Sequence, residues 1–252
     1  FSTLGWGYDE ALFAEQKKYH PTTLIESGYD ILFPWMSRMI LMSTYLLGEA
    51  PFKTIYLHGL VRDEEGRKMS KSLDNILDPL DVIKDYGTDA LRLALVSGTT
   101  PGNDMRLGDE KLTSSRNFVN KLWNISRYVI GLTKDSLEIV HLTPETKTIS
   151  DRWILGQLEE VIQKTTEHLN NYQLSLAQET LRDFTLNDFA DWYIEIHKVE
   201  KNDTLLLFIL RELLKLWHPF MPFVTEAIWS HLDTPDLLLV TRWPQSTGEI
   251  SS

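Results

Sequence analysis

The sequence predicts a chain of two parts, an α/β part with a parallel sheet followed by an all-α helical bundle. Before Asp109, short β-branched or aromatic runs alternate with helical patterns, and strand–helix–strand alternation is typical of a parallel βαβ sheet. After Asp109, apolar residues recur at helical spacing with little interruption. The 252 residues suit one large or two small domains, and we place the domains at 1–108 and 109–252.

Two strands separated by a helix are predicted in the first part. Thr22–Ser27 is a short β-rich run that ends at Gly28, and Lys53–His58 is a second run rich in β-branched and aromatic residues. Between them, Pro34–Leu47 is predicted as a helix because proline suits the first turn. These three elements make one βαβ unit.

Two aspartates mark predicted helix starts further along the chain. Asp78 followed by Pro79 predicts an N-cap and a proline at the first helical position. Asp89 is predicted to cap the next helix.

The second part is predicted to be helical, with a strand-like run at Leu237–Thr241 in its tail. In the first helix, the apolar residues Phe118, Leu122, Ile125 and Val129 form a stripe that faces a core. The predicted helices are Leu112–Leu132, Ser150–Asn170, Leu174–Lys198, Thr204–Trp217 and Phe223–Leu232.

Composition excludes several classes of function. The chain has no Cys and seven His, which excludes a disulfide scaffold, a thiolate zinc site and a cysteine nucleophile. No two His have the spacing of an H-E-x-x-H zinc helix, so no metal site is expected. Apolar runs are too short to cross a bilayer, and the first residues lack a basic signal-peptide region. We therefore expect a soluble, cytoplasmic protein without a membrane partner.

The segment from Arg62 to Asn75, RDEEGRKMSKSLDN, carries the strongest chemical signal. Lys68 and Lys71 are three positions apart, with small hydroxyl residues among them. Two ammonium groups on a loop can wrap a polyphosphate, and such cations stabilise charge that develops on leaving phosphates. A solvated basic turn is the alternative for a generic K-x-x-K pattern.

The pentapeptide from Lys68 to Ser72 matches the KMSKS signature, and the chain resembles the class I aminoacyl-tRNA synthetases, most closely their valyl members. The resemblance extends through TLIESGYDILFPWMSRMI, YLHGLVRDEEGRKMSKSLDN, SGTTPGNDMRL and RNFVNKLWNISRYV. It implies that 1–108 is the second half of a Rossmann catalytic domain with a stem-contact region. It also implies that 109–252 is an α-helical anticodon-binding domain.

The resemblance implies an activity and its partners. A valine–tRNA ligase uses ATP, with Mg2+, to convert valine to valyl adenylate and then transfers valine to tRNA(Val). Lys68 and Lys71 would be catalytic residues that stabilise the triphosphate, and Met69 and Ser70 would bind ATP with them. The full-length enzyme is expected to be a monomer with no permanently bound cofactor.

Further site residues are implied position by position. Glu26, Gly28 and Asp30 match a strand-end stretch beside the adenylate, where glycine allows close approach and a carboxylate accepts from ribose hydroxyls. A glycine turn with a helix-capping Asp is the alternative.

Three more positions complete the implied site. His58 and Gly59 match the adenine side, although a lone His is more often structural. Trp35 matches the aromatic wall of the amino-acid pocket, although a core Trp would give the same pattern.

Two departures from the family limit the expected activity. Asp74 stands where the family usually has Gly; Asp tolerates the left-handed conformation, but its carboxylate would weaken anion binding. The His-x-Gly-His motif of class I enzymes and the editing domain are both missing from the sequence. We therefore expect a fragment of a longer synthetase that is not catalytically competent alone, and whose exposed sheet edge promotes self-association or mobility.

A basic face is predicted on the helix Leu112–Leu132. The interval from Lys111 to Lys134 holds five basic residues and no acidic one, within a chain of net charge −11. Such a face suits a phosphate backbone, and an ordinary solvated face is the alternative. The candidate tRNA-binding residues are Arg116, Asn120, Lys121, Asn124 and Arg127.

Two aromatic residues of the predicted helix Leu174–Lys198 are candidates for base stacking. They are Trp192 and Tyr193. Helical offsets to Phe184 and Phe189 favour core packing for Trp192 instead.

Two other interpretations stay open. The chain could be a non-catalytic tRNA-binding module, which an upstream reading frame containing His-x-Gly-His would exclude. It could also be a fragment of an isoleucyl-tRNA synthetase, which shares the fold and the loop. The stretches from Asp30 to Trp35 and from Thr100 to Asp104 favour the valyl assignment.

Overall fold

The computed structural model describes residues 11, 14, 18–133, 145–232 and 236–246. Packing divides the chain into two compact units, Phe1–Arg62 with Thr100–Met105, and Asp63–Thr99 with Arg106–Ser252. We call them the sheet unit and the helical unit. The units are interleaved along the chain, and the domain division at 108 and 109 stays a prediction. Among the described residues, no helix is both long and apolar enough to span a membrane.

The sheet unit contains the expected parallel strand pair. β1 (Thr22–Gly28) pairs in parallel with β2 (Phe52–His58), and Gly28 lies opposite His58. The connecting helix α1 spans Ser37–Leu47 and ends at Gly48, whose φ of 76° is left-handed. Two short elements precede α1, a 3-10 turn at Tyr29–Ile31 and a π-helical turn at Leu32–Met36. The βαβ prediction is therefore confirmed, with the α-helix starting three residues later than predicted because Pro34 lies in the π-helical turn.

Two short strands complete the β structure. β3 is Val61–Arg62 and β4 is Met105–Arg106. The amide of Met105 donates to the carbonyl of Leu60 at 3.0 Å.

The helical unit begins with α2 (Pro79–Tyr86) and α3 (Thr88–Val96). Asp78 caps α2 as predicted, since its carboxylate accepts the amide of Leu80 at 2.8 Å.

The prediction that Asp89 caps its own helix is wrong. The residue preceding α3 is Gly87, and the carboxylate of Asp89 accepts the amides of Phe223 and Val224, at 3.3 and 2.6 Å. Those amides lie in the first turn of a distant helix, Pro222–Trp229. Unpaired first-turn amides and the helix dipole attract a carboxylate wherever it comes from in the sequence.

Six further helices of different lengths occur in the described part of this unit. They are α4 (Asp109–Leu132), α5 (Ile149–Asn170), α6 (Leu174–Asp183), α7 (Ile194–Glu200), α8 (Asp203–Trp217) and α9 (Pro222–Trp229). A π-helix at Phe184–Tyr193 separates α6 from α7, so the single helix predicted at Leu174–Lys198 is interrupted. The tail forms a 3-10 turn at Leu238–Val240 and not the predicted strand.

The core of the helical unit is centred on α8. Trp217 is fully buried, and its ring centroid lies 4.8 Å from that of Phe118 on α4. The indole N–H of Trp217 donates to the hydroxyl of Thr185 at 2.9 Å. Leu122, Ile125 and Val129 are buried with Phe118, which confirms the predicted stripe on α4.

The π-helix reverses the expected roles of two aromatic residues. Trp192 is 64% exposed, whereas Tyr193 is 1% exposed. The hydroxyl of Tyr193 donates to the carboxylate of Asp151 at 2.7 Å. The prediction of core packing for Trp192 is therefore wrong, because the wider turn of a π-helix shifts the buried face from the position that α-helical offsets give.

Candidate functional site

Four of the predicted nucleotide-side residues meet where the parallel strands end. Carboxyl ends of parallel strands share one edge of a sheet, which is where α/β proteins bind ligands. The imidazole Nε2 of His58 lies 3.1 Å from the carboxylate of Glu26. A Cβ placed on Gly28 would lie 2.8 Å from the carboxylate of Asp30 and 3.6 Å from the His58 ring. A side chain at position 28 would therefore displace the Asp30 carboxylate, whereas its distance to the His58 ring is an ordinary contact.

Gly59 joins this group through its backbone. Its carbonyl accepts a hydrogen bond from Nδ1 of His58 at 2.8 Å. A Cβ on Gly59 would lie 1.7 Å from the carbonyl oxygen of Asn103. The glycine is therefore required for the close approach of the segment that contains Asn103.

Asp104 makes several of the contacts in the same region. Its carboxylate accepts the amide of Leu60 at 2.8 Å and the guanidinium of Arg62 at 2.5 Å. The Leu60 amide, together with Arg62 and the hydroxyl of Tyr29, holds the pKa of the Asp104 carboxyl below its usual range. The partners of Asp104 are more than 40 positions away, and no sequence signal connects them.

The KMSKS loop presents its two lysines to solvent. Lys68 and Lys71 are both exposed, and Lys71 begins a 3-10 turn, Lys71–Leu73. The hydroxyls of Ser70 and Ser72 lie 3.1 Å apart. Asp74 follows with φ 50° and ψ 34°, so the left-handed conformation expected at this position is confirmed.

A buried carboxylate lies at the base of this loop. Asp63 accepts the backbone amide of Arg67 at 2.7 Å and its guanidinium at 2.8 Å, and it also accepts the side-chain amide of Asn75 at 2.8 Å. The Asn75 amide and these Arg67 donors hold the pKa of Asp63 below its usual range. Sequence reasoning missed both Asp63 and Asn75, although the Asp63 to Gly66 turn was a local signal for an anchoring aspartate.

Trp35 lies in the π-helical turn that leads from β1 into α1. Its ring is 48% exposed, and the guanidinium carbon of Arg38 lies 5.4 Å from the ring centroid. Trp35 lines a cavity of about 540 Å3 together with Thr22 and Phe52, the first residues of β1 and β2. The lining of this cavity also includes Ile25 in the middle of β1, and it includes neither Gly28 nor His58.

The predicted basic face of α4 is only partly formed as expected. Asn120, Asn124 and Arg127 are exposed, whereas Arg116 is half-buried with its guanidinium 5.3 Å from the Tyr86 ring centroid. Five residues correspond to about 140° around an α-helix, so Lys121 does not share the face of Arg116. Lys134 lies outside the described residues.

Lys121 lines a different cavity, of about 760 Å3, on the helical unit. Arg182, Asn187 and Asp191 line the same cavity. Asn187 and Asp191 lie on the π-helix.

Comparison with known families covers most of the chain. Residues 1–108 match the family of class I tRNA synthetases (I, L, M and V), and residues 151–251 match the anticodon-binding domain of tRNA ligase. The chain therefore carries a class I tRNA synthetase segment followed by an anticodon-binding domain of a tRNA ligase.

Its curated relatives are valine–tRNA ligases, and the chain is similar to one part of them. It is 45% identical to the enzyme of Bacillus thuringiensis subsp. konkukian (strain 97-27), over 97% of this chain and 29% of the relative. It is 46% identical to the enzyme of Dehalococcoides mccartyi (strain CBDB1), over 92% of this chain and 26% of the relative. The chain thus spans less than a third of the length of these relatives.

Solved structures confirm the fold class. A LeuRS–tRNA–LeuAMS ternary complex of Agrobacterium radiobacter K84 superposes with a TM-score of 0.85 at 23% identity, over 99% of this chain and 32% of that chain. Mycobacterium tuberculosis methionyl-tRNA synthetase in complex with methionyl-adenylate superposes with a TM-score of 0.70 at 25% identity, over 88% of this chain and 45% of that chain. A partial Rossmann unit followed by a helical bundle is therefore the correct description.

Proposed function

We propose that this chain is the part of a valine–tRNA ligase that supplies the KMSKS loop and a surface for the anticodon arm of tRNA(Val). The observation that carries the proposal is an exposed pair, Lys68 and Lys71, on a loop anchored by a buried carboxylate. It occurs in a chain 45% identical to a valine–tRNA ligase over 97% of its length.

The chemistry of the loop follows from its charges. In valine activation, a valine carboxylate oxygen forms a bond to the α-phosphorus of ATP while the bond to the pyrophosphate oxygen breaks. Negative charge accumulates on the leaving pyrophosphate, and the ammonium groups of Lys68 and Lys71 stabilise it. Mg2+ would enter with the nucleotide, since no cluster of three or more metal-ligating side chains occurs in the described ranges.

The strand-end residues suit the rest of the adenylate. Gly28 and Gly59 let a ligand or a neighbouring backbone approach closely. The carboxylates of Glu26 and Asp30 can accept from ribose hydroxyls, and His58 is held by Glu26 on the adenine side. Trp35 would form a wall of the valine pocket, where one methylene of difference contributes only about 1–3 kcal/mol of discrimination.

The first test measures activation by the isolated chain. We expect no valine-dependent exchange of labelled pyrophosphate into ATP above background, because half of a positioned constellation loses most of its proximity and electrostatic effect. An intact valine–tRNA ligase is the positive control. Exchange by this chain at a rate near that of the control would show that the residues present are sufficient.

The second test measures tRNA binding over a range of salt concentrations. We expect tRNA(Val) to be retained on filters more strongly than a control tRNA, with affinity falling as salt rises because phosphate contacts release counterions. Arg127→Gln should weaken binding, whereas Arg152→Gln, at an exposed position of α5, is the matched control. An affinity that does not change with salt concentration would contradict tRNA binding by the basic face. Enrichment of isoleucine tRNA would favour the isoleucyl alternative.

A further inference from the structure

The side chain of Asn75 contacts both the KMSKS loop and the buried anchor below it. Its Oδ1 accepts the backbone amide of Ser70 at 2.9 Å. Its Nδ2 donates to Asp63 at 2.8 Å and to the carbonyl of Lys68 at 3.4 Å. One side chain therefore connects two points of the loop to a residue outside it.

We propose that Asn75 is a positioning residue that holds the KMSKS loop in the conformation presenting Lys68 and Lys71 to a triphosphate. The inference rests on the proposed function, since it assumes that these lysines bind phosphates. Asn75 touches no phosphate in this role and acts only through the loop backbone.

Asp63 is a suitable anchor because contacts other than that with Asn75 also fix its position. Its side chain is only slightly exposed, and it accepts both the backbone amide and the guanidinium of Arg67. The backbone amide of Asp63 also donates to the carbonyl of Arg67 at 3.1 Å. The turn from Asp63 to Arg67 therefore holds the Asp63 carboxylate in position to accept the Asn75 amide.

The bridge requires a primary amide at position 75. One end of the side chain accepts from Ser70 and the other donates to the Asp63 carboxylate, so both functions of the amide are used. Aspartate would keep the acceptor but place a second carboxylate against Asp63. Alanine would remove all three side-chain hydrogen bonds of Asn75 and leave Asp63 with one donor fewer.

The shape of the loop explains why Asn75 reaches back. After the 3-10 turn Lys71–Leu73, the left-handed Asp74 reverses the chain direction, and Asn75 is then directed towards the loop base. A loop closed in this way has already lost conformational freedom, so less ordering is required when an anion binds. The bridge thus contributes to affinity without a direct contact.

The test uses the full chain and two measurements, hydrogen exchange of amides 68–74 and calorimetric binding of inorganic tripolyphosphate. For Asn75→Ala and Asn75→Asp we expect loop exchange to rise about tenfold and tripolyphosphate affinity to fall by a similar factor. Lys71→Gln should weaken binding without changing exchange. Asn171→Ala, at an exposed asparagine outside the loop, should change neither.

A donor–acceptor swap tests positioning directly. Asp63→Asn combined with Asn75→Asp keeps the net charge and restores one amide–carboxylate hydrogen bond. We expect this double variant to recover part of the slow exchange and of the affinity lost in Asn75→Asp. Recovery is not expected if position 75 affects the chain only by general destabilisation.

The outcomes separate the two proposals. Unchanged loop exchange in both single variants, or no recovery in the swap, would overturn the role of Asn75. Failure of the unmodified chain to bind tripolyphosphate would contradict the proposed function, while the exchange data still decide whether Asn75 holds the loop. If exchange also rises in α8, the variant has lost its fold, and the swap alone then decides.

Discussion

Different interactions stabilise the helical unit and the sheet unit. In the helical unit, α8 is surrounded by other helices and large side chains such as Trp217 are completely buried. In the sheet unit, Phe33 is 86% exposed and Tyr45 is 85% exposed. A two-stranded sheet buries too little apolar surface to be independently stable. The comparison teaches that the helical unit depends on apolar burial and the sheet unit on a few polar contacts.

Asp104 shows what replaces apolar burial in the sheet unit. Its carboxylate joins the amide of Leu60 and the guanidinium of Arg62, and it also accepts from the hydroxyl of Tyr29. Hydrogen bonds to a charged group are stronger than neutral ones. These contacts position the strand-end residues even where the surrounding apolar side chains are exposed.

The largest expected effect separates the two units by core substitution. Trp217→Ala should lower the free energy of unfolding by about 3–5 kcal/mol, because it removes a fully buried ring and leaves a cavity. Phe33→Ala, at an exposed ring, should change it by less than about 0.5 kcal/mol. Urea unfolding followed by circular dichroism measures both. Equal losses would show that the contrast in burial does not translate into stability.

A smaller effect concerns the pH dependence of the helical unit. Asp151 is buried and accepts from Asn202 at 2.7 Å, from the amide of Lys147 at 2.8 Å and from Tyr193. Burial by itself raises the pKa of Asp151, but the Asn202 amide and these other donors outweigh it and leave the pKa below its usual value.

The sign follows from the lowered pKa. A native pKa below the unfolded value of about 3.9 gives stability that is present above about pH 4 and is lost as pH falls through the native pKa. Asp151→Asn should lower stability by about 1–3 kcal/mol at neutral pH and flatten the loss in acid. Urea midpoints between neutral and acidic pH measure this difference. Parallel profiles for the two proteins would exclude Asp151 as a source of acid sensitivity.

The smallest expected effect concerns the loop. Asp74→Gly should relieve a left-handed residue, whose conformation costs a non-glycine residue about 1 kcal/mol, and should remove a carboxylate near Lys71. We expect tripolyphosphate to bind several-fold more tightly, as measured by calorimetry. Asp74→Asn, which removes the charge but keeps a side chain, separates the two causes. Weaker binding by Asp74→Gly would show that the native aspartate assists the loop.

Local patterns were predicted correctly where the interacting residues are close in sequence. The cap of Asp78 on α2 joins residues two positions apart, and the left-handed Asp74 depends on its own backbone. The KMSKS lysines also form a contiguous signal. Periodicity likewise predicted the apolar stripe of α4, because one helix face repeats regularly.

Distant partners explain the predictions that were wrong or missing. Asp89 caps a helix that begins more than 130 positions away, and Asp104 contacts Leu60 and Arg62, which precede it by more than 40 positions. Trp192 and Tyr193 exchanged their expected places because a π-helix changes the angular spacing of side chains. Asn75 was overlooked because its role depends on contact with Asp63 across the loop.

The sequence by itself determined the parallel strand pair, the change to a helical bundle and the cationic loop. These features arise from propensities and motifs that act over a few residues. Tertiary structure decided which carboxylate caps which helix, which aromatic residue is buried, and how the loop is anchored. Such choices depend on polar groups that must find partners once water is excluded, and folding brings those partners together from distant positions.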